Sequence, residues 1–107
     1  MKEKLILRNE DITEVIIGIP EDHRHLRAVI KTKLGKTIII HEASLANMVR
    51  AYITVKTHPV KKAVRLIGRE ITAKKKKGYA HYQLLEEEGN NDLPGFLAGY
   101  LEEDKLL

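Results

Sequence analysis

The sequence lacks cysteine and tryptophan altogether, and it contains a single phenylalanine, a single glutamine and a single serine. Without cysteine the chain can form neither disulfides nor thiolate metal sites, which is typical of an intracellular protein. No apolar run approaches the roughly 20 residues of a membrane-spanning helix, and residues 1–8 do not have the pattern of a signal peptide. We therefore expect a soluble, cytoplasmic protein without a membrane partner.

Charged residues are abundant where many proteins have neutral polar ones, and they make up 32% of the 107 residues. This composition resembles that of proteins from thermophiles. The length suits one domain, in which roughly 65% of the surface of the unfolded chain can be buried on folding. A modest hydrophobic core is therefore possible without disulfides or metal ions.

The net charge of +4 is distributed unevenly. Residues 1–60 carry ten Lys or Arg against seven acids, residues 61–78 carry eight against one, and residues 79–107 carry one against seven. The three segments thus have net charges of +3, +7 and −6. Neighbouring blocks of opposite sign predict either pairing within the chain or an anion-binding surface beside an acidic tail.

The clearest helical pattern covers residues 44–57. Apolar residues recur there at helical spacing and form one stripe, while polar residues such as Asn47 lie on the opposite side. Ser44 is the expected N-cap, and Pro59 ends the helix because the residue before a proline avoids helical geometry. The stripe, which we expect to pack on a β-sheet, consists of Leu45, Met48, Val49, Tyr52 and Ile53.

Runs rich in isoleucine and valine predict strands before this helix, over residues 4–8, 14–19, 25–33 and 36–41. Leu34 and Gly35 predict a two-residue hairpin loop, because glycine readily adopts the positive φ of such a turn. In that register Ile30 faces Ile39 on the neighbouring strand. The face that we expect beneath the helix then carries Leu26, Ala28, Ile30 and Ile39.

Residues 60–71 fit two structures. Their apolar residues could form a second amphipathic helix, which would resemble a helix-turn-helix together with the first. Alternatively residues 64–71 form a strand that pairs, through an exposed lysine-rich turn at residues 74–78, with residues 79–85. We favour the strand because Gly68 weakens a helix.

A polar linker and a short amphipathic helix end the chain. The helix has Asp92 as its expected N-cap, but Gly95 and Gly99 each weaken it by about 1 kcal/mol, so we expect it to be helical only when docked. We therefore predict a core domain over residues 1–88, followed over residues 89–107 by a linker and a helix that docks on its own chain or on a second copy. The candidate interface residues are Phe96, Leu97, Tyr100 and Leu101.

Together these patterns predict an α+β fold. It comprises an antiparallel or mixed sheet of about six strands, covered on one face by the helix of residues 44–57, and the short C-terminal helix.

A basic stretch with neighbouring aromatic residues is the strongest functional signal. Several cations along one surface neutralise phosphates, and adjacent aromatic rings can stack on unpaired bases. In the strand interpretation Arg65 and Arg69 share one face, which at most one of Tyr79 and Tyr82 can share. A solubilising hairpin tip, or pairing with the acidic tail, would account for the same charges without a ligand. The candidate nucleic-acid or anion-binding residues are Lys61, Lys62, Arg65, Arg69, Lys74, Lys75, Lys76, Lys77, Tyr79 and Tyr82.

Histidine and serine supply weaker candidates. His23 and His25 could bind zinc with a carboxylate, but no third ligand lies at a recognisable spacing. Ser44 lies near His41 and Glu42, yet adjacent residues at a strand end and a helix start rarely achieve the geometry of a catalytic triad. The sequence has no glycine-rich phosphate loop, no HExxH motif and no EF-hand loop. It therefore predicts no cofactor and no metal, and it favours a binding module over an enzyme.

Two hypotheses for function result from these observations. The first is a small non-enzymatic module that binds nucleic acid or another polyanion through residues 61–78. The second is a homo-oligomeric protein-interaction module that uses its C-terminal helix.

Overall fold

The computed structural model describes residues 3–71, 80–89 and 92–101. The chain divides into two compact units, Met1–Leu45 and Ala46–Leu107, and each contains an antiparallel sheet. The domain boundary that we expect from the sequence, after residue 88, stays a prediction.

The first unit is a three-stranded meander in which β2 (Arg27–Thr32) lies between β1 (Ile12–Gly18) and β3 (Thr37–His41). A turn of 3-10 helix precedes β1, and there the carboxylate of Asp11 accepts a hydrogen bond from the backbone N–H of Arg8 at 3.0 Å. This bond lowers the pKa of Asp11. Residues 4–8, which we predicted to be a strand, have no regular secondary structure.

The β2–β3 hairpin has a three-residue loop, and the predicted two-residue loop is wrong. The backbone N–H of Thr32 donates to the carbonyl oxygen of Lys36 at 3.2 Å, and Gly35 has a φ of +80°. A residue with positive φ at the end of a three-residue loop is typical of a type I turn followed by a bulge. The extra loop residue shifts the pairing of the two strands by one position.

This shift moves Ile39 to the other side of the sheet. Ile30 pairs with Ile38, and Ala28 pairs with Ile40. Because successive side chains of a strand point to opposite faces, a slip of one residue exchanges the two faces. Ala28 is only 2% exposed, whereas Ile39 is 60% exposed. The predicted grouping of Ile39 with Ala28 and Ile30 is therefore wrong.

Helix α1 (Glu42–Thr57) begins two residues earlier than predicted and ends at the predicted residue. Ser44 lies within its first turn, so its predicted role as N-cap is wrong. At the other end the hydroxyl of Thr57 donates to the carbonyl oxygen of Ile53 at 2.8 Å. Pro59 follows and cannot continue the helix, because it has no backbone N–H to donate.

The buried side of α1 is not the predicted one. Asn47 is only 9% exposed, and its amide donates to the side-chain oxygen of Gln83 at 2.9 Å. Ala51 and Thr54, which follow at helical spacing, are half-buried, as is Leu45. The other four predicted core residues are instead 45–65% exposed. These four residues, called the α1 stripe below, are Met48, Val49, Tyr52 and Ile53.

In the second unit β4 (Leu66–Glu70) and β5 (Tyr82–Glu86) form a two-stranded antiparallel ribbon. The strand interpretation of this region is confirmed, and the helical alternative with its resemblance to a helix-turn-helix is wrong. The predicted lysine-rich turn at residues 74–78 lies outside the described residues.

The C-terminal helix α2 (Leu93–Tyr100) begins as predicted. The carboxylate of Asp92 accepts a hydrogen bond from the backbone N–H of Gly95 at 3.3 Å, and Pro94 lies in the first turn. The guanidinium carbon of Arg65 lies 5.0 Å from the centre of the Phe96 ring, so α2 touches the segment before β4 within one chain. Docking of α2 on a second copy stays a prediction.

The protein is thus α+β, with two helices and two small antiparallel sheets of five strands in all within the described residues. The prediction of about six strands in one sheet is wrong, because residues 4–8 form no strand and the ribbon of β4 and β5 is a separate sheet. Within the same residues, neither helix has the length and hydropathy needed to cross a membrane.

Candidate functional site

Lys61, the first residue of the predicted basic surface, is paired inside the chain. Its ammonium group donates to Oε2 of Glu86, the last residue of β5, at 2.6 Å. This hydrogen bond raises the pKa of Lys61 above its ordinary value. A phosphate that approaches Lys61 therefore competes with a carboxylate that is already in place.

Arg65 and Arg69 lie on the same face of the ribbon, as the alternation of the strand predicts. The carbonyl oxygen of Arg65 accepts a hydrogen bond from the backbone N–H of Glu87 at 2.9 Å. Arg69 lies opposite Gln83 in the antiparallel pairing of the two strands. The carboxylate of Glu87 reaches both guanidinium groups, at 3.9 Å from Arg65 and 3.5 Å from Arg69. A single glutamate thus bridges the two arginines.

Lys62 lies next to a turn that leads from α1 toward the ribbon. Its ammonium group donates to the carbonyl oxygen of His58 at 3.3 Å. The imidazole Nδ1 of His58 accepts hydrogen bonds from the backbone N–H groups of Val60 at 3.0 Å and Lys61 at 2.7 Å. The side chain of His58 therefore holds the backbone that carries both lysines.

Tyr82 is 67% exposed, but it lies on the opposite face of the ribbon from the two arginines, because it pairs with Glu70. Its ring meets that of His81 edge to face at 5.4 Å, and Nε2 of His81 lies 2.6 Å from Oε2 of Glu70. A base stacked on Tyr82 would not lie beside Arg65 and Arg69. The remaining predicted residues, Lys74, Lys75, Lys76, Lys77 and Tyr79, lie outside the described residues.

Glu86 and Glu87 are residues of this site that sequence reasoning missed, since the pattern around them indicates a polar linker. From the sequence, the acidic C-terminal tail is instead the candidate partner of the basic stretch within the chain. A sequence signal for Glu86 and Glu87 does exist, because an antiparallel hairpin centred on residue 76 places residue 65 opposite residue 87.

The predicted interface residues of α2 are exposed. Their exposure is 47–53%, and α2 contains no buried residue. The rings of Phe96 and Tyr100 meet edge to face with their centres 5.4 Å apart. The four residues recur at i, i+1, i+4 and i+5, which places them on one side of the helix. This set, called the α2 stripe below, consists of Phe96, Leu97, Tyr100 and Leu101.

His23 contacts a backbone oxygen, and His25 lies near a single carboxylate. Nδ1 of His25 lies 3.7 Å from Oε1 of Glu42, and the same oxygen accepts the backbone N–H of Leu26 at 2.7 Å. A ring nitrogen of His23 lies 2.9 Å from the carbonyl oxygen of Glu21. Residues 3–71, 80–89 and 92–101 contain no group of three or more side chains that could hold a metal ion.

An open groove of about 290 Å³ lies beside the Lys61–Glu86 pair and is bounded by the first residues of α2. Its lining carries two lysines and three consecutive glutamates, at positions 86–88, with Leu93 and Pro94 on the helix side. Such a lining can hydrogen-bond a small polar molecule, but its residues include no histidine, serine or cysteine that could act as a nucleophile or as an imidazole base.

No family model, curated protein or solved structure matches this chain. The functional assignment therefore rests on surface chemistry. The described part of the chain offers a ribbon with paired charges and two helices with exposed apolar stripes.

Proposed function

We propose that this chain is a homo-oligomeric protein-interaction module that makes contact through the α2 stripe. The observation that carries the proposal is the exposure of four large apolar side chains, each about half exposed, on a helix without a buried residue. A contiguous exposed apolar patch of this kind is typical of a protein–protein interaction site.

The stability of α2 supports the same function. Its eight residues fall short of the roughly 12–15 that an isolated helix needs to be even marginally stable in water. The contact between Arg65 and Phe96 within the chain contributes only about 0.5–1 kcal/mol at an exposed position. Packing against a second copy would supply the burial that this helix lacks.

The test is the molar mass of the chain in solution, measured by light scattering over a range of concentrations. We expect a defined oligomer for the native chain and a monomer for Leu97→Asp, because a buried carboxylate without a partner is strongly unfavourable. Leu34→Asp is the matched control, since Leu34 is an equally exposed leucine in the β2–β3 loop. A native chain that stays monomeric at the highest concentration would overturn the proposal.

A second candidate function is nucleic-acid or polyanion binding by residues 61–78. It is supported by the position of Arg65 and Arg69 on one face and by the charge of the segment, which stays at +5 when Glu86 and Glu87 are counted with it. The ion pairs with these glutamates argue against it for three of its cations.

A salt titration of binding to duplex and single-stranded nucleic acid tests this second function. Changing the four lysines at positions 74–77 to alanine should reduce the log–log salt slope by up to about 0.9 for each phosphate contact that is lost. If the native chain does not bind even at low salt, nucleic-acid binding is refuted.

A further inference from the structure

We infer that the α1 stripe is the surface that receives α2 of a second copy of this chain, so that two copies exchange α1–α2 contacts around a two-fold axis. This inference rests on the proposed self-association and identifies the surface that α2 of the partner would contact. In such an isologous interface α1 of each copy contacts α2 of its partner, and the contact occurs twice.

The orientation of α1 leaves the side chains of the α1 stripe exposed. Asn47 anchors the opposite side of the helix through its hydrogen bond to Gln83, and its oxygen accepts a further bond from the guanidinium of Arg50 at 2.6 Å. A rotation of α1 that buried the stripe would break the hydrogen bond between Asn47 and Gln83. The exposed apolar side is therefore the side of α1 that lies opposite this hydrogen bond.

The two stripes match in length and spacing. The α1 stripe occupies positions i, i+1, i+4 and i+5 from Met48, and the α2 stripe occupies the same positions from Phe96. Each stripe is therefore about one and a half helical turns long, with a tyrosine at its third position. Stripes of equal length can pack against each other along their whole length, with interhelical distances of roughly 8–10 Å.

The exposed area agrees with what a stable dimer needs. Each of the eight side chains is about half exposed, which leaves roughly 100 Å² on each. If all of this area is buried on association, the two stripes together contribute about 800 Å² per chain, which equals the share of each partner in a dimer interface of standard size. Either stripe alone would supply only about half of this area.

Charge favours α2 over a second α1 as the occupant. Lys56 follows Tyr52 by one helical turn on the stripe side of α1, so two α1 helices packed in parallel would bring two lysines close. Arg50, in contrast, is bonded to Asn47 on the other side. Helix α2 contains no charged residue. Helix α2 therefore brings no like charge to Lys56.

Engineered cysteines test this arrangement directly, because the native chain has none that could interfere. We would place one cysteine in each stripe, as Val49→Cys and Leu97→Cys, in separate chains. The two variants are mixed under reducing conditions, oxidised and analysed for covalent dimers. Leu34→Cys, in the exposed β2–β3 loop, replaces one partner in the matched control. Disulfides form only when the two Cα atoms lie within about 7 Å of each other.

We expect a covalent dimer from the mixture of Val49→Cys and Leu97→Cys that is absent from either variant alone and from the control mixture. Cross-linking of Val49→Cys alone, or of Leu97→Cys alone, would show that like helices meet and would overturn the inference. The absence of any cross-link in a chain that light scattering shows to be dimeric would overturn it as well.

A second variant separates failure of this inference from failure of the proposed function. Tyr52→Ala truncates the most exposed member of the α1 stripe and should weaken dimerisation by about tenfold or more, because tyrosine is enriched among the residues that dominate interface energies. If Leu97→Asp is monomeric while Tyr52→Ala dimerises with native affinity, α2 is an interface and α1 is not its partner. If the native chain is monomeric, the proposed function itself is wrong.

Discussion

In the second unit several charged side chains have partners within the chain, whereas the large apolar side chains of its helices are exposed. On β4 and in the segment that precedes it, Lys61, Arg65 and Arg69 each have a carboxylate partner in the same chain. On the two helices the large apolar side chains of both stripes stay about half exposed. Most folded proteins bury their apolar stripes and leave such charges to water.

This contrast indicates which surface is available for a partner. The ion pairs of the ribbon are partly exposed, and pairs of this kind contribute only about 0–1 kcal/mol each, so they organise the surface more than they stabilise it. Exposed apolar area, in contrast, gains about 25 cal/mol per Å² when it is removed from water. In the second unit, burial of the apolar side chains of its helices would therefore gain more free energy than new contacts to the paired charges.

The largest expected effect comes from Asn47, the polar residue on the buried side of α1. Replacing it with alanine leaves the side-chain oxygen of Gln83 without its donor, which should destabilise the chain by about 1–3 kcal/mol. The free energy of unfolding by urea measures this change. The matched control is Met48→Ala, an exposed neighbour on the same helix, which should change stability by less than about 0.5 kcal/mol under monomeric conditions.

Equal losses of stability in Asn47→Ala and Met48→Ala would contradict this contrast, because only the side of α1 that carries Asn47 is expected to be anchored. The variants should also differ in association. Met48→Ala lies in the proposed interface and should weaken dimerisation, whereas Asn47→Ala should act on folding.

The sequence could not reveal this reversal of α1. The helical period located the stripe correctly, but period alone does not say whether a stripe meets its own chain or another. The signal that decides the matter is the bond between Asn47 and Gln83, which lie 36 positions apart. No local pattern predicts that the one glutamine of the chain will meet an asparagine on the helix.

A smaller effect distinguishes the two glycines of α2. Gly99 has open space where a Cβ would lie, so Gly99→Ala should stabilise each α2 helix by about 1 kcal/mol. Because the proposed dimer contains two α2 helices that form on docking, dimerisation should tighten by about thirtyfold. A Cβ at Gly95 would meet the carboxylate of the N-cap Asp92 at a forbidden distance. Gly95→Ala should therefore weaken the cap and show no such gain.

Sedimentation equilibrium at several concentrations, together with circular dichroism, measures both changes. If both variants tighten dimerisation equally, the capping contact has no role. If Gly99→Ala leaves the dimer unaffected, α2 is not part of the interface.

The register of the two hairpins shows what turn chemistry can and cannot predict. For β4 and β5, the predicted lysine-rich turn at residues 74–78 names no register, and the observed ladder pairs Leu66 with Glu86. For β2 and β3, Leu34-Gly35 fits a two-residue loop, and Lys33-Leu34-Gly35 fits a three-residue loop equally well. Only the hydrogen bonds at Thr32 separate these two loops.

A still smaller effect is expected from Glu87, which bridges Arg65 and Arg69. Glu87→Gln removes this negative charge at nearly constant size and should change stability by less than about 1 kcal/mol. If residues 61–78 bind nucleic acid, the same change should strengthen binding at low salt, because both arginines lose their competitor. Glu14→Gln is the matched control, since Glu14 pairs with a lysine in the first unit. If both variants gain equally in nucleic-acid affinity, the change in net charge alone accounts for the gain.

The smallest effect is a pH dependence at Lys61. Its pKa is raised by the hydrogen bond to Glu86, so this pair stabilises the folded chain fully below about pH 10.5, the ordinary pKa of the lysine. The contribution is then lost as the pH rises through the higher folded value, because the neutral amine no longer attracts the carboxylate. Thermal unfolding of the native chain and of Glu86→Gln, measured between pH 9 and pH 12, should therefore converge at the alkaline end. Parallel curves over this range would show that the pair adds nothing to folding, and the cation of Lys61 would then be available to an external anion.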